Sequence, residues 1–293
     1  MASRTRIACL ALAVLLAGIL AGCAVNGSIT ATEQERRTFP VTPGTLIVVE
    51  TFNGRIGVQG RNDPVVEVRI TRRGSGTSEA EAQRDLGNVR IEAEEAPGRL
   101  TLSARRVDPR QVGTSGADLE LLVPVDVSVV LRSSHGRLEV ANGGGSGVVR
   151  TSNAAVTTRG GTDLDLDTTN GAIAMNGPSG RLIVRASNGA VDIADAHDAT
   201  VSATTSNARM TFSGTLAAGR HAFTTTNGDL SLAFPGDAAV AIDGQTTNGP
   251  VRTDFATLDV GETGLAGETA RGADATVIAR TTNGTLEGMA RRP

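Results

Sequence analysis

Thr151-Ser152-Asn153-Ala154-Ala155-Val156, Thr168-Thr169-Asn170-Gly171-Ala172-Ile173 and Ala186-Ser187-Asn188-Gly189-Ala190-Val191 are three copies of one phrase. The phrase returns around Asn207, Asn227, Asn248 and Asn283, loosely at Thr51-Phe52-Asn53-Gly54, and with histidine for asparagine at Ser134-His135-Gly136. From His135 to Asn248 the steps are 18, 17, 18, 19, 20 and 21 residues, and the last step, to Asn283, is 35. Three residues after the Asn position stand Leu138, Val156, Ile173, Val191, Met210, Leu230, Val251 and Leu286. Four before it stand Leu131, Val149, Leu166, Val184 and Phe223, and two before it the residue is small, usually Thr. A spacing of two places residues on one face of a strand. Each repeat therefore reads as strand, turn, strand, turn.

Two architectures suit such a pattern. Asn-Gly between alternating runs is the usual mark of an antiparallel hairpin. A β-solenoid, in which each repeat is one coil, demands more: the same residue class at the same place in coil after coil. The fixed register favours the second, an all-β parallel β-solenoid of about 18–21-residue coils with Asn-Gly turns. Asn153, Asn170, Asn188, Asn207, Asn227, Asn248 and Asn283 then form a turn ladder of stacked amides. Asn and Gly tolerate positive φ, which a sharp turn there would use. Asn283, last in the sequence, is expected near the end of the stack.

Outward from the repeat, Val66, Val68 and Ile70 alternate, Ser78–Leu86 reads as a short helix, and strands are expected at 89–93, 100–104 and 119–130. This N-terminal capping region, 44–134, covers one end of the solenoid proper, 135–293, with which it forms one continuous domain; uncovered strand edges invite association. Phe255 to Thr276, rich in Gly, Ala and Thr, reads as a loop leaving the last coils. Residues 23–43 are polar, with two prolines, and read as a tether.

Arg4 and Arg6 precede an apolar run, Ile7 to Leu20, too short to span a bilayer, which takes about 20 apolar residues. This is the layout of a signal peptide, residues 1–22. It ends in Leu20-Ala21-Gly22-Cys23, which resembles the lipobox of bacterial lipoproteins. The resemblance implies a diacylglyceryl thioether on Cys23, cleavage before it, acylation of the new amino group and residence in the cell envelope. Ala24 matches the pattern of lipoproteins sent to the outer membrane when the organism is diderm.

The 293 residues carry a formal charge of -3, and all 28 basic residues are arginine. No basic surface argues for nucleic acid. Trp and Tyr are absent, so stacking platforms for bases or sugars are scarce. With Cys9 in the signal peptide and Cys23 acylated, no disulfide is expected.

Thr51-Phe52-Asn53-Gly54-Arg55-Ile56, Leu119-Glu120-Leu121-Leu122-Val123-Pro124, Ser133-Ser134-His135-Gly136 and the Thr/Ser-Asn-Gly series, in this order and spacing, resemble the bacterial putative-adhesin family of β-strand-repeat domains, a domain of unknown function, over roughly residues 44–288. The resemblance implies a β-solenoid with an adhesive or envelope role and supplies no catalytic residue.

Asp163, Asp165 and Asp167 alternate with Leu164 and Leu166 and could face a hard cation, but calcium asks for 6–8 oxygen ligands and neighbouring coils offer few. No metal or cofactor is expected. His135, His197 and His221 lack ligand spacing. Asp192, Asp195 and Asp198 near His197 read as a solvated loop. No nucleophile-elbow or phosphate-loop motif occurs. The expected function is a non-enzymatic, membrane-anchored structural, adhesive or protein-interaction module, whose partner is an envelope or surface protein or a glycan. The alternatives are an accessory or sensor protein of envelope-stress signalling and a polysaccharide-active β-helix enzyme. The enzyme would need Arg150, Arg159, Arg181 and Arg185 to converge with acidic groups.

Overall fold

The computed structural model describes residues 14–16, 28–108, 110, 114–141 and 145–291. Cys23 lies outside the described residues. The chain is a β-solenoid with two faces of mainly parallel strands. The strand preceding each turn joins one face and the strand following it joins the other. Register is kept without slip through most of the stack: Leu138 pairs with Val156, Val156 with Ile173, Ile173 with Val191, Val191 with Met210, and Met210 with Leu230. The two faces are joined by the 14-residue strand Val191–Thr204, which runs through a corner and belongs to both.

Inward side chains from both faces make one core, from Phe39 to Leu286. Within it Phe212 lies between Phe223 and Phe234, with ring centroids 5.1 and 5.8 Å apart. These tilted pairs fill a volume that the aliphatic coils fill with Leu, Ile and Val.

The spatial order of coils differs from the sequence order at both ends. Strands Leu46–Asn53 and Ile56–Arg61, first in sequence, lie between the coil 99–124 and the coil 128–141. At the other end, Ala275–Thr281 and Leu286–Arg291, last in sequence, lie between the coil 219–235 and the coil 240–253. The stack thus runs 99–124, 46–61, 128–141, 147–159, 162–176, 179–194, 199–216, 219–235, 275–291, 240–253. Each terminal coil of the sequence is held on both sides. Asn283 is accordingly interior, and Asn248 ends the ladder, the reverse of the order expected from sequence.

The caps are antiparallel. Val65–Gly76 pairs with Gly116–Pro124, and Ile29–Pro40 pairs with Val65–Gly76 over all twelve residues. The stretch expected to be tether is therefore largely strand. Phe39 and Ala31 are buried, while the residues between them are mostly polar because this strand covers an end and faces water widely. Among the described residues its outer side is paired only over Gln34–Arg36, with Val14–Leu16, and Arg36, Arg37, Glu33 and Glu35 place charge along it, the usual protection against further pairing. On the other face Val89–Ala96 is the antiparallel edge.

The helix Glu79–Gly87 starts at Ser78, whose side chain accepts the Glu81 N–H. It sits so close to Val65–Gly76 that a Cβ on Gly74 would lie 2.0 Å from the Leu86 nitrogen. At the far end the expected loop is a hairpin, Leu258–Val260 and Gly264–Glu268, laid antiparallel on Val240–Thr246. Its Gly-rich sequence hides the strands because few apolar side chains are needed in a one-sided cover.

Candidate functional site

The turn edge is built from each coil's own sequence. Asn170 donates through Nδ2 to Asn153 Oδ1 at 2.7 Å, Asn188 to Asn170 at 2.8 Å, Asn207 to Asn188 at 2.7 Å and Asn227 to Asn207 at 2.8 Å. Asn283 donates to Asn227 at 2.7 Å and Asn248 to Asn283 at 2.8 Å. His135 continues the row, its Nε2 lying 3.2 Å from Asn153 Nδ2. Each interior amide gives one bond and takes one, as a side chain with both donor and acceptor can.

The expectation of positive φ at these turns is corrected. None of the ladder asparagines has positive φ; among the turn glycines only Gly54 and Gly136 do. Glycine is there chiefly for closeness: a Cβ on Gly171 would lie 1.7 Å from the Ala154 carbonyl oxygen, and one on Gly189 1.7 Å from that of Gly171. The seven ladder asparagines are also exposed. Water competes for every rung, so a rung contributes within the ordinary range of about 0.5–1.5 kcal/mol for a net hydrogen bond.

A second ladder, read from sequence only as a column of small residues, lies beneath the first. The hydroxyls of the buried Thr205, Thr225, Thr246 and Thr281 donate to the turn carbonyls of Gly189, Ala208, Gly284 and Gly228 at 2.9–3.0 Å. These carbonyls would otherwise be buried at a corner with one partner fewer, which is costly in a dry environment.

Two of the three aspartates of the acidic strand are committed to the protein itself, and Asp167 has no side-chain partner among the described residues. Asp163, at φ 54°, accepts the Arg181 backbone N–H at 2.7 Å. Asp165 lies between Arg150 at 2.6 Å and Arg185 at 3.2 Å. Among the described residues no three His, Cys, Asp or Glu side chains gather as a cation site. Asp192 accepts from the Thr211 hydroxyl, Asp195 pairs with Arg291 at 2.6 Å, and His197 is exposed, so these do not converge. Arg159 and Arg181 point to neither Arg150 nor Arg185 through a shared acid.

His221 is the titratable group that sequence reading left without a role. It stands in phase with Phe223 and Thr225, which is the signal of an inward position, and it is fully buried. Nδ1 accepts the Val201 N–H of the neighbouring coil at 3.2 Å, and Nε2 lies 2.9 Å from the Ala217 carbonyl. The ring is therefore neutral, protonated on Nε2. Burial lowers its pKa below the ordinary histidine value, and the Ala217 carbonyl opposes this in part. The unfolded chain then binds a proton, near the ordinary value of about 6.5, before the folded chain does. The stabilising contribution is complete above that pH and is lost as pH falls below it. We expect urea midpoints to decline as pH falls below about 6.5, and His221→Gln, which can keep both bonds, to flatten that part of the profile. Identical profiles for the two chains would show that another group controls this window.

On the outer face of the strands that follow the turns, near the N-terminal cap, lies a cleft of about 650 Å³ walled by Arg55, Arg69, Arg137 and Arg159 with Glu67, Glu120 and Glu139.

No curated protein matches the chain. Among solved structures it is similar to a putative adhesin from Parabacteroides distasonis ATCC 8503, at 13% identity over 88% of this chain and 96% of that one, with a TM-score of 0.44. A putative adhesin from Bacteroides fragilis NCTC 9343 shows 10% identity over 87% and 97%, with a TM-score of 0.44. A putative cell adhesion protein from Clostridium sporogenes ATCC 15579 shows 9% identity over 88% and 100%, with a TM-score of 0.27. Residues 47–287 match the family model of the Toastrack DUF4097 domain, and the chain belongs to that family.

Proposed function

We propose that the protein is exported, lipidated on Cys23 and held at the cell envelope as a rigid, non-catalytic interaction module with an adhesive role. The observation that carries this reading is the shortness of the link. The strand that opens the cap begins at Ile29, so five residues, 24–28, separate it from Cys23. Even fully extended they reach about 20 Å. A stack whose strands are spaced about 4.8 Å apart then stands close to the bilayer on a short leash and extends about 40 Å along its axis. Such a module presents outer faces rather than an enclosed active site. The acyl chains supply the membrane affinity, each buried methylene contributing about 0.8 kcal/mol. In a diderm the sequence pattern at Ala24 assigns it to the outer membrane.

Cys23→Ser tests the anchor. The unaltered chain is expected in the membrane fraction after a high-salt wash, with mass spectrometry finding a lipid-modified Cys23 at its N-terminus. The variant is expected unprocessed or released as soluble protein. A mature chain that starts at any other residue overturns the proposal. Co-purification from detergent-solubilised envelopes then identifies what the anchored protein holds.

A further inference from the structure

We propose that the arginine-walled cleft binds an acidic glycan, a chain of sugars carrying spaced carboxylates. The proposal deepens the interaction-module reading by naming a ligand chemistry, and it is tested separately from lipidation. The cleft arises from register. Across the face, Arg69 pairs with Glu120, Glu120 with Gly57, Gly57 with Glu139 and Glu139 with Thr157. Gly57 thus leaves a gap in the middle of a charged row. A Cβ there would meet only the Arg55 side chain, at 3.9 Å. Arg55 leans over the gap and contacts Glu139 at 2.5 Å and Glu120 at 3.7 Å. Arg69 contacts Glu120 at 3.7 Å, and Arg137 contacts Glu139 at 3.6 Å. Glu120 and Glu139 are thereby shared among three guanidiniums, and the third lining carboxylate, Glu67, is engaged by Arg36 and Arg61 outside the cleft.

Arg159 stands at the end of the next row, beside Ala141, and is exposed with no ion-pair or hydrogen-bond partner among the described residues. Several outer-face arginines elsewhere are matched to an acid, Arg150 and Arg185 on Asp165, Arg280 on Asp243, Arg291 on Asp195 and Arg252 on Glu287, while Arg181, Arg209 and Arg220 stand exposed without an ion pair among the described residues and outside the cleft. What sets this cleft apart is convergence: four guanidiniums, of Arg55, Arg69, Arg137 and Arg159, line one open space in a chain of net charge -3. Each arginine there has N–H groups to spare, in the fork that suits carboxylates.

The two glutamates select among anions. A dense polyanion such as polyphosphate would set its charges against Glu120 and Glu139 at close range. Spaced carboxylates avoid this, and the sugar hydroxyls between them donate to the same glutamates. The open floor at Gly57 and Ala141 admits a ring lying flat against the sheet. The cleft crosses five strands, from Val65–Gly76 to Val156–Arg159, a span of about 19 Å at ordinary strand spacing, so several sugar residues fit along it.

The test is calorimetric titration of the purified full chain with oligouronate of about six sugars, with a neutral β-linked oligoglucoside and with short polyphosphate, at two salt concentrations. We expect saturable binding of the oligouronate that weakens with salt, and no heat from the neutral oligomer. Arg159→Ala and Arg137→Ala should each weaken it about tenfold, the effect of one lost bond to a charged group. Gly57→Leu, at an outward and open strand position, should abolish it by filling the floor, with an unchanged urea midpoint as the control for folding. Absence of saturable oligouronate binding, or binding indifferent to all three variants, overturns the proposal. Polyphosphate binding as tightly as oligouronate overturns the assignment to spaced carboxylates. Neither result bears on the membrane fractionation of Cys23→Ser, so the two proposals fail independently.

Discussion

Ending the chain after Gly272 is expected to unfold residues 240–272 and to lower stability by about 5 kcal/mol or more, a large share of what a domain ordinarily has. The coil 240–253 meets no other parallel coil than the one removed. Val240–Thr246 pairs with Ala275–Thr281 and, antiparallel, with the hairpin strand Gly264–Glu268; among the described residues Val251–Thr253 pairs only with Leu286–Arg291. The deletion takes away the buried Val277, Ala279 and Leu286, and burying a Val or Leu side chain is worth about 1.5–3 kcal/mol each. It also removes two rungs of the amide ladder, Asn283 to Asn227 and Asn248 to Asn283. In a quasi-one-dimensional stack the loss stays local, since each coil contacts only its neighbours. Hydrogen exchange should therefore show amides of 240–246 unprotected while those of 162–216 keep their protection, together with a lower urea midpoint. Protected amides at 240–246 would mean that this coil has stepped down onto 219–235, and that insertion of the last coil is not what holds it.

The same interchangeability explains what the sequence could and could not convey. An in-register parallel stack repeats residue class at each position, so the solenoid, the inward columns and the amide ladder were legible from Asn170, Asn188 and Asn207 alone. Coil order was not legible. The coils of Asn248 and Asn283 both carry Thr two residues before the Asn and an apolar residue three after it, so either could follow Asn227. The caps were half legible: the helix was marked by Ser78 and Glu81, but Ile29–Pro40 looked like tether because an end strand needs only Phe39 and Ala31 as anchors. The cleft was hidden because its walls come from Arg69 and Arg159, on two strands, and from Arg55 and Arg137, in the turns that lead into two others. Which arginine finds an acid depends on register between coils, not on neighbours in sequence. His221 was visible in phase with Phe223 but could not be assigned a partner, since Val201 belongs to the next coil.

Gly189→Ala is expected to destabilise the protein by about 3 kcal/mol, the upper part of the range for overpacking. One methyl is a small addition, and φ at this glycine is ordinary. The difficulty is the neighbouring coil: the new Cβ would lie 1.7 Å from the Gly171 carbonyl oxygen and 2.5 Å from its carbon. The coils cannot simply separate, because Ser187 N–H bonds to Thr168 O at 3.2 Å, Asn188 N–H to Thr169 O at 2.8 Å, and the buried Thr205 hydroxyl to Gly189 O at 3.0 Å. Alanine does occur at two equivalent turns, and both carry a local adjustment. Beneath Ala154 the neighbour is Gly136, whose φ of 113° sets its turn apart from that of Gly171. At Ala208 the pairing shifts: Ser206 N–H and Asn207 N–H both go to Ser187 O, whereas Ser187 and Asn188 bond to successive carbonyls. Gly189 has neither relief. Gly87→Ala serves as the control, since its Cβ would meet nothing within 4 Å and alanine is favoured in a helix by about 0.5–1 kcal/mol. Urea midpoints should fall for Gly189→Ala and hold or rise for Gly87→Ala. Equal midpoints for Gly189→Ala and the unaltered chain would show that the turn yields to a methyl there as it does at Ala154 and Ala208, and that close coil approach is not what requires glycine.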